Sequence, residues 1–134
     1  MWHWSVLSLH VVIAVIGLGP LAAIPLAARA MRGAPVVAAA PIVWLERLFL
    51  STRLSLLAMF ASGAWLELLS GGAYHESGWF RMSVVLLLAA GISHALARAA
   101  LRRGSTALRS VEGWSWLACG LVALIVVLME VKLP

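Results

Sequence analysis

Charge is what this sequence has least of. Of its 134 residues, 11% are charged and 63% are hydrophobic. A soluble domain is nearer a quarter charged and half apolar. The mean hydropathy is +1.02. Too few polar side chains are present to clothe a water-facing surface, so a soluble globular protein is excluded. Acid is scarcer than base, five residues against ten, which leaves a net charge of +5. In a soluble chain that excess would point to nucleic acid. In a membrane chain it marks cytoplasmic loops, and no nucleic-acid partner is expected. Cysteine is nearly absent. Cys119 alone excludes a disulfide framework or a cysteine-based metal cluster within one chain, and in an apolar helix it reads as inert packing. Also missing are a nucleophilic triad, a phosphate-cradling glycine loop and a zinc-protease helix.

What is present is long apolar runs. A spanning helix needs about 20 mostly apolar residues. The first run opens the chain and is free of charge until Arg29. It is too long for a signal-peptide core and no Lys or Arg precedes it, so it reads as a retained span. Pro20 and Pro25 are expected to break it. The other spans read roughly 42–69, 79–98 and 113–131. Breakers separate them: Gly33, Pro35 and Pro41, then Gly71-Gly72, then Gly104-Ser105. The runs exceed strand length and do not alternate, which argues helices over a barrel. The expected fold is all-α and integral to the membrane: an antiparallel four-transmembrane-helix bundle, one domain over residues 1–134.

Charge orients the bundle. Arg29, Arg32, Arg47, Arg98, Arg102, Arg103 and Arg109 fall on one side, and only Arg81 and Lys132 on the other. Seven against two places both termini outside and both arginine-rich loops in the cytoplasm, in a cell inner (plasma) membrane. Trp2, Trp4, Trp65 and Trp79 belong to the outer aromatic belt, and Trp44, Trp114 and Trp116 to the inner one.

A charge in hydrocarbon costs about 2.5–3.5 kcal/mol on insertion scales, so each needs a reason. Glu46, Arg53, Phe60 and Glu67 recur every seven residues in span two. They share one stripe, drifting about 20° per heptad, and are expected to face the bundle interior. Two readings stay open. Glu46 and Arg53 form an interfacial ion pair with Arg53 snorkelling inward, or Arg53 holds an anion such as a haem propionate or a lipid phosphate.

Two histidines lie within spans. His10 shares a face with His3, Ala14 and Gly17, and His94 with Leu87, Ala90, Gly91 and Arg98. Those small residues admit either a neighbouring helix or a flat cofactor. His10 sits in the outer half. His94, 15 residues after Trp79, lies about 22 Å further in by helix rise, so the two cannot share one metal. His94 is expected to contact span two near Glu46 or Arg53. At the outer surface Glu67, His75, Glu76, Arg81, Glu130, Lys132 and His3 collect. They read as a solvated loop before a copper or zinc site. Serines 51, 55 and 62 are expected to bond back to their own helix.

Four stretches together resemble a family. They are "LHVVIAVIGLGPLAAIPLAAR", with its early His10, and "WLERLFLSTRLSLLAMFASGAWL", with Glu46-Arg47. The third is "WFRMSVVLLLAAGISHALARAALRR", with His94 before a basic run, and the last is "LVALIVVLMEVKLP". The chain resembles the small four-span HemJ-type protoporphyrinogen oxidases and the related CopD-like membrane domains. After Trp79 it has Arg81 and Ser83, where the HemJ-type pattern has a histidine and a lysine. The resemblance implies haem b, with His10 as the metal ligand and Arg53, Arg81 and His94 as further cofactor-binding residues. It also implies redox or porphyrin chemistry, while the residues themselves leave open whether the chain is an enzyme. A second reading is a non-catalytic subunit of a larger membrane complex, with other subunits or further copies of itself as partners beside the lipid bilayer. A transporter is the weakest reading, since no second interrupted span matches the first.

Overall fold

The computed structural model describes residues 2–32 and 39–131, with the side chains of all of these except 2, 3, 39, 40 and 105. Helices α1 (Trp2–Arg32), α2 (Ala39–Leu69), α3 (Gly78–Leu101) and α4 (Leu108–Val131) carry the fold, with one 3-10 turn at Ser105–Ala107. All four helices are long and apolar enough to cross a membrane. The fold is the expected all-α, antiparallel four-helix membrane bundle. The breakers Gly33 and Pro35 lie outside the described residues, as do Lys132 and the side chain of His3.

Helix ends run past the apolar spans. α1 continues to Arg32, and α4 begins at Leu108 instead of near Gly113. Hydropathy marks only the hydrocarbon, and no breaker stops these helices in the headgroup layer. α2 ends where glycine was expected to end it. Gly71 and Gly72 have φ of 68° and 85°, and the Gly72 N–H reaches back to the Glu67 carbonyl at 3.1 Å while the Gly71 N–H reaches Leu68 at 3.2 Å. That is a Schellman stop, which favours glycine for its left-handed residue.

The prolines do not break α1, which runs unbroken through Pro20 and Pro25. Proline removes one N–H and strips the carbonyl four residues back of its donor. For Pro25 that carbonyl is Leu21's, and Cys119 Sγ of α4 donates to it at 3.5 Å. A neighbouring helix thus re-satisfies the backbone, as spanning helices require. Cys119 is therefore more than inert packing.

Packing follows 4–3 spacing. α1 buries Gly17, Leu21, Ile24, Ala28 and Met31; α4 buries Leu108, Val111, Ser115, Ala118, Val122 and Ile125. This is the rhythm of left-handed bundles. α1 packs on α2 and α4, and α3 packs on α4, while α2 and α3 touch least of the four neighbouring pairs. The ring α2–α1–α4–α3 therefore has one thin joint. Its largest core cluster, which includes Ile24, Phe49, Ala97 and Val111, lies toward the arginine-rich end. The described tryptophans other than Trp79 are exposed, as an aromatic belt requires.

One expectation fails here. α2 buries Leu45, Phe49, Thr52, Ser62 and Leu66, not the Glu46–Arg53–Phe60–Glu67 stripe. Arg53 is exposed, and Phe60 is 47% exposed. A repeat of seven says that four residues share a face, not which face. The apolar 4–3 face wins the interior, and Glu46 and Arg53 are left along the thin joint with α3.

Candidate functional site

The thin joint is a groove of about 550 Å³. Arg53, Leu56 and Leu57 of α2 form one wall. Gly91, Ala95 and Ala99 of α3 line the other, with His94, Arg98 and Arg102 toward the arginine-rich end. Two contacts set the register of the helices. His94 Nε2 lies 3.1 Å from the Phe49 carbonyl, and Arg98 grips Glu46 Oε2 through Nε and Nη2, both at 3.2 Å. The Phe49 and His94 rings also meet, with centroids 4.9 Å apart.

A carbonyl only accepts, so His94 Nε2 carries the proton and donates. That nitrogen is unavailable to a metal. His94 is buried, at 5% exposure, and its helix-to-helix bond is the contact with α2, near Glu46 and Arg53 along that helix, that its depth implied. Glu46 pairs with Arg98, not with Arg53. Their sequence separation of 52 hid this pair, whereas the Glu46–Arg53 pair is suggested by local spacing alone. Arg53 is left to line the groove.

His10 stands elsewhere, between α1 and α2. Its Nδ1 lies 2.7 Å from Ser62 Oγ. The single Ser62 proton goes back to its own helix, to the Ala58 carbonyl at 2.7 Å, as expected of that serine. Ser62 therefore accepts from His10, and His10 Nε2 keeps its lone pair. Along α2, the contacts of His10 and His94 fall at Ser62 and Phe49. These are 13 residues apart, or roughly 20 Å by helix rise, so the two histidines share no metal. On the His10 face, a Cβ at Gly17 would sit 2.6 Å from Ser55 Cβ. The small-residue space there is taken by α2, and a flat ring does not fit against Gly17.

Arg81 is at the far end, its Nε donating to the His75 carbonyl at 2.6 Å. From the first turn of α3 it braces a loop folded over Glu67, whose carboxylate accepts from the N–H groups of Tyr74 at 3.1 Å and His75 at 2.9 Å. His75 Nδ1 also meets the Gly72 carbonyl. Among the described residues, no three His, Cys, Asp or Glu side chains come together as a metal site. Glu67 holds a loop together here.

Of the four residues singled out in the sequence, the structure brings Arg53 and His94 together and leaves His10 and Arg81 apart. Arg98 and Arg102 complete the groove; Arg98 was read as sharing the His94 face, Arg102 only as loop charge. Their signal was visible at intervals of four, His94, Arg98 and Arg102, which share one helix face. Compared with protein-family models, curated proteins and solved structures, the chain matches none.

Proposed function

We propose that this chain is a multi-pass protein of the inner (plasma) membrane, with both termini outside, that binds an anionic amphiphile in the α2–α3 groove. One observation carries the reading: a groove with apolar walls between α2 and α3 is lined by three guanidinium groups, Arg53, Arg98 and Arg102. Arginine in hydrocarbon is costly and marks a ligand path or a partner. Arg98 has Glu46 as a partner; Arg53 and Arg102 face the groove. The excess of arginine at this end supports a cytoplasmic location for it. The HemJ-type resemblance names a porphyrin, with its propionates, as one amphiphile of this kind. The test is displacement of a fluorescent fatty acid from the purified protein. The parent should bind it, and a variant with Arg53→Gln and Arg102→Gln should bind it several-fold more weakly. Equal binding by both would defeat the reading and favour a non-catalytic subunit of a larger complex.

His10 favours a second reading, haem b ligation. Its Nδ1–H is anchored by Ser62, the arrangement that orients a ligating imidazole and leaves Nε2 for a metal. Haem would supply redox chemistry, and His10 would supply one axial nitrogen. The Gly17 face offers the ring no room, which is why this reading stands second. A Soret band in the parent that is lost in His10→Ala would establish it.

A further inference from the structure

Resting on the proposed amphiphile site, we infer that its ligand is a membrane lipid with a phosphate monoester head, the phosphate on Arg53, Arg98 and Arg102 and a chain along Gly91, Ala95 and Ala99.

Three features of the groove point to this ligand. The first is charge. Three guanidiniums stand against one carboxylate, Glu46, which leaves two positive charges (3 − 1) along the groove. A phosphate monoester carries about −1.5 to −2 at neutral pH, whereas a diester or a carboxylate carries one charge. Planar guanidinium forks also match phosphate oxygens in pairs. Arg98 meets Glu46 through Nε and Nη2. Its remaining nitrogen is free to serve the phosphate without breaking that ion pair.

The second feature is direction. Helical side chains lean toward the N-terminus of their own helix. α2 starts at the arginine-rich end and α3 finishes there. The Arg53 side chain therefore leans toward the arginine-rich end, while Arg98 and Arg102 lean away from it, toward Arg53. The antiparallel pair thus aims the three cations at a common level. His94 and Phe49 fix that level, because their bond sets the register.

The third is the trough. Gly91, Ala95 and Ala99 recur at intervals of four and form a smooth wall. A Cβ placed on Gly91 meets nothing within 4 Å, so the space beside it is open, unlike that beside Gly17. Leu56 and Leu57 face it from α2. A chain laid there covers apolar surface, and its head reaches the arginines. A haem iron would find no axial nitrogen at His94 Nε2, which is spent on Phe49.

The experiment is native mass spectrometry of the full-length protein released from detergent. It is presented in turn with phosphatidic acid, phosphatidylglycerol, diacylglycerol, oleate, protoporphyrin and inorganic phosphate. Phosphatidic acid should be retained best, phosphatidylglycerol about fivefold less, and diacylglycerol not measurably. Each arginine replaced, Arg53→Gln or Arg102→Gln, should weaken phosphatidic acid about fivefold, from roughly 1 kcal/mol per cation near a lipid head group. Gly91→Leu fills open space and should fold normally, which circular dichroism checks, yet lose the lipid. Inorganic phosphate should not compete at millimolar concentration. If it competes fully, the site takes free phosphate and the lipid assignment is overturned. If oleate or protoporphyrin binds in a Gly91-dependent way and phosphatidic acid does not, the phosphate assignment falls while the amphiphile site stands. If the variants change nothing for any of these ligands, both fall.

Discussion

Two joints of the bundle use a histidine in opposite ways. Between α1 and α2, Gly17 admits Ser55 so closely that a Cβ would lie 2.6 Å from its neighbour, and His10 donates through Nδ1 to a side chain, Ser62. Between α2 and α3 the helices scarcely touch, and His94 donates through Nε2 to a backbone carbonyl. The first joint is built from absent volume and its polar bond is an accessory. The second is built from polar groups because little apolar contact is there. Lipid gives helices no hydrophobic reason to associate, so close packing and polar bonds are the alternatives left. A joint made by packing has no room for a ligand. A joint made by a few long side chains leaves a groove.

That contrast is easiest to break at Gly17. Gly17→Leu should destabilise the bundle by about 1–3 kcal/mol or more, the range for overpacking, read as a lower midpoint of denaturation in mixed micelles. Unchanged stability would mean that α1 and α2 are not in close contact. Next comes His94→Ala, which removes a buried ring and the bond to Phe49 and should cost about 1–2 kcal/mol. His94→Gln keeps a donor and should recover part of it. If the two variants were equally damaging, the bond to Phe49 would not be what holds this joint. Third, Glu46→Gln should cost under about 1 kcal/mol, since both partners are about one-third exposed and exposed pairs are weak. Its effect should shrink in high salt, and a salt-independent loss would assign Glu46 to packing instead. The smallest change is expected for Ser62→Ala. An interhelical hydrogen bond averages about 0.6 kcal/mol in a membrane bundle, so a loss several times larger would mean that His10 carries more of the first joint than its packing does.

The fold was legible because lipid imposes it. Apolar length gave four spans, glycine gave the end of α2, and depth placed His94 beside the arginine-rich half of α2. Three things were not legible. Pro25 looks like a break until Cys119, 94 positions later (119 − 25), is seen to serve the carbonyl it frees. The Glu46 stripe looked interior because spacing defines a face without saying what covers it. Glu46 also looked paired with Arg53, because Arg98 is brought to it only by the register of α2 against α3. In each case the missing information was which helix stands next to which, and that is not a local property.

The ring order α2–α1–α4–α3 carries a consequence for how the chain assembles. Each dense contact joins either a hairpin's own two helices, α1 with α2 and α3 with α4, or the first helix with the last. The first hairpin can therefore close as soon as α2 has entered the bilayer, before α3 is made, with the folded loop at Glu67 ending it. The second hairpin closes by itself in the same way. The two then dock through α1 and α4, and the pair adjacent in sequence, α2 and α3, meets last. Biogenesis in this order makes the groove the final part of the molecule to form and the part least required for the rest to stand.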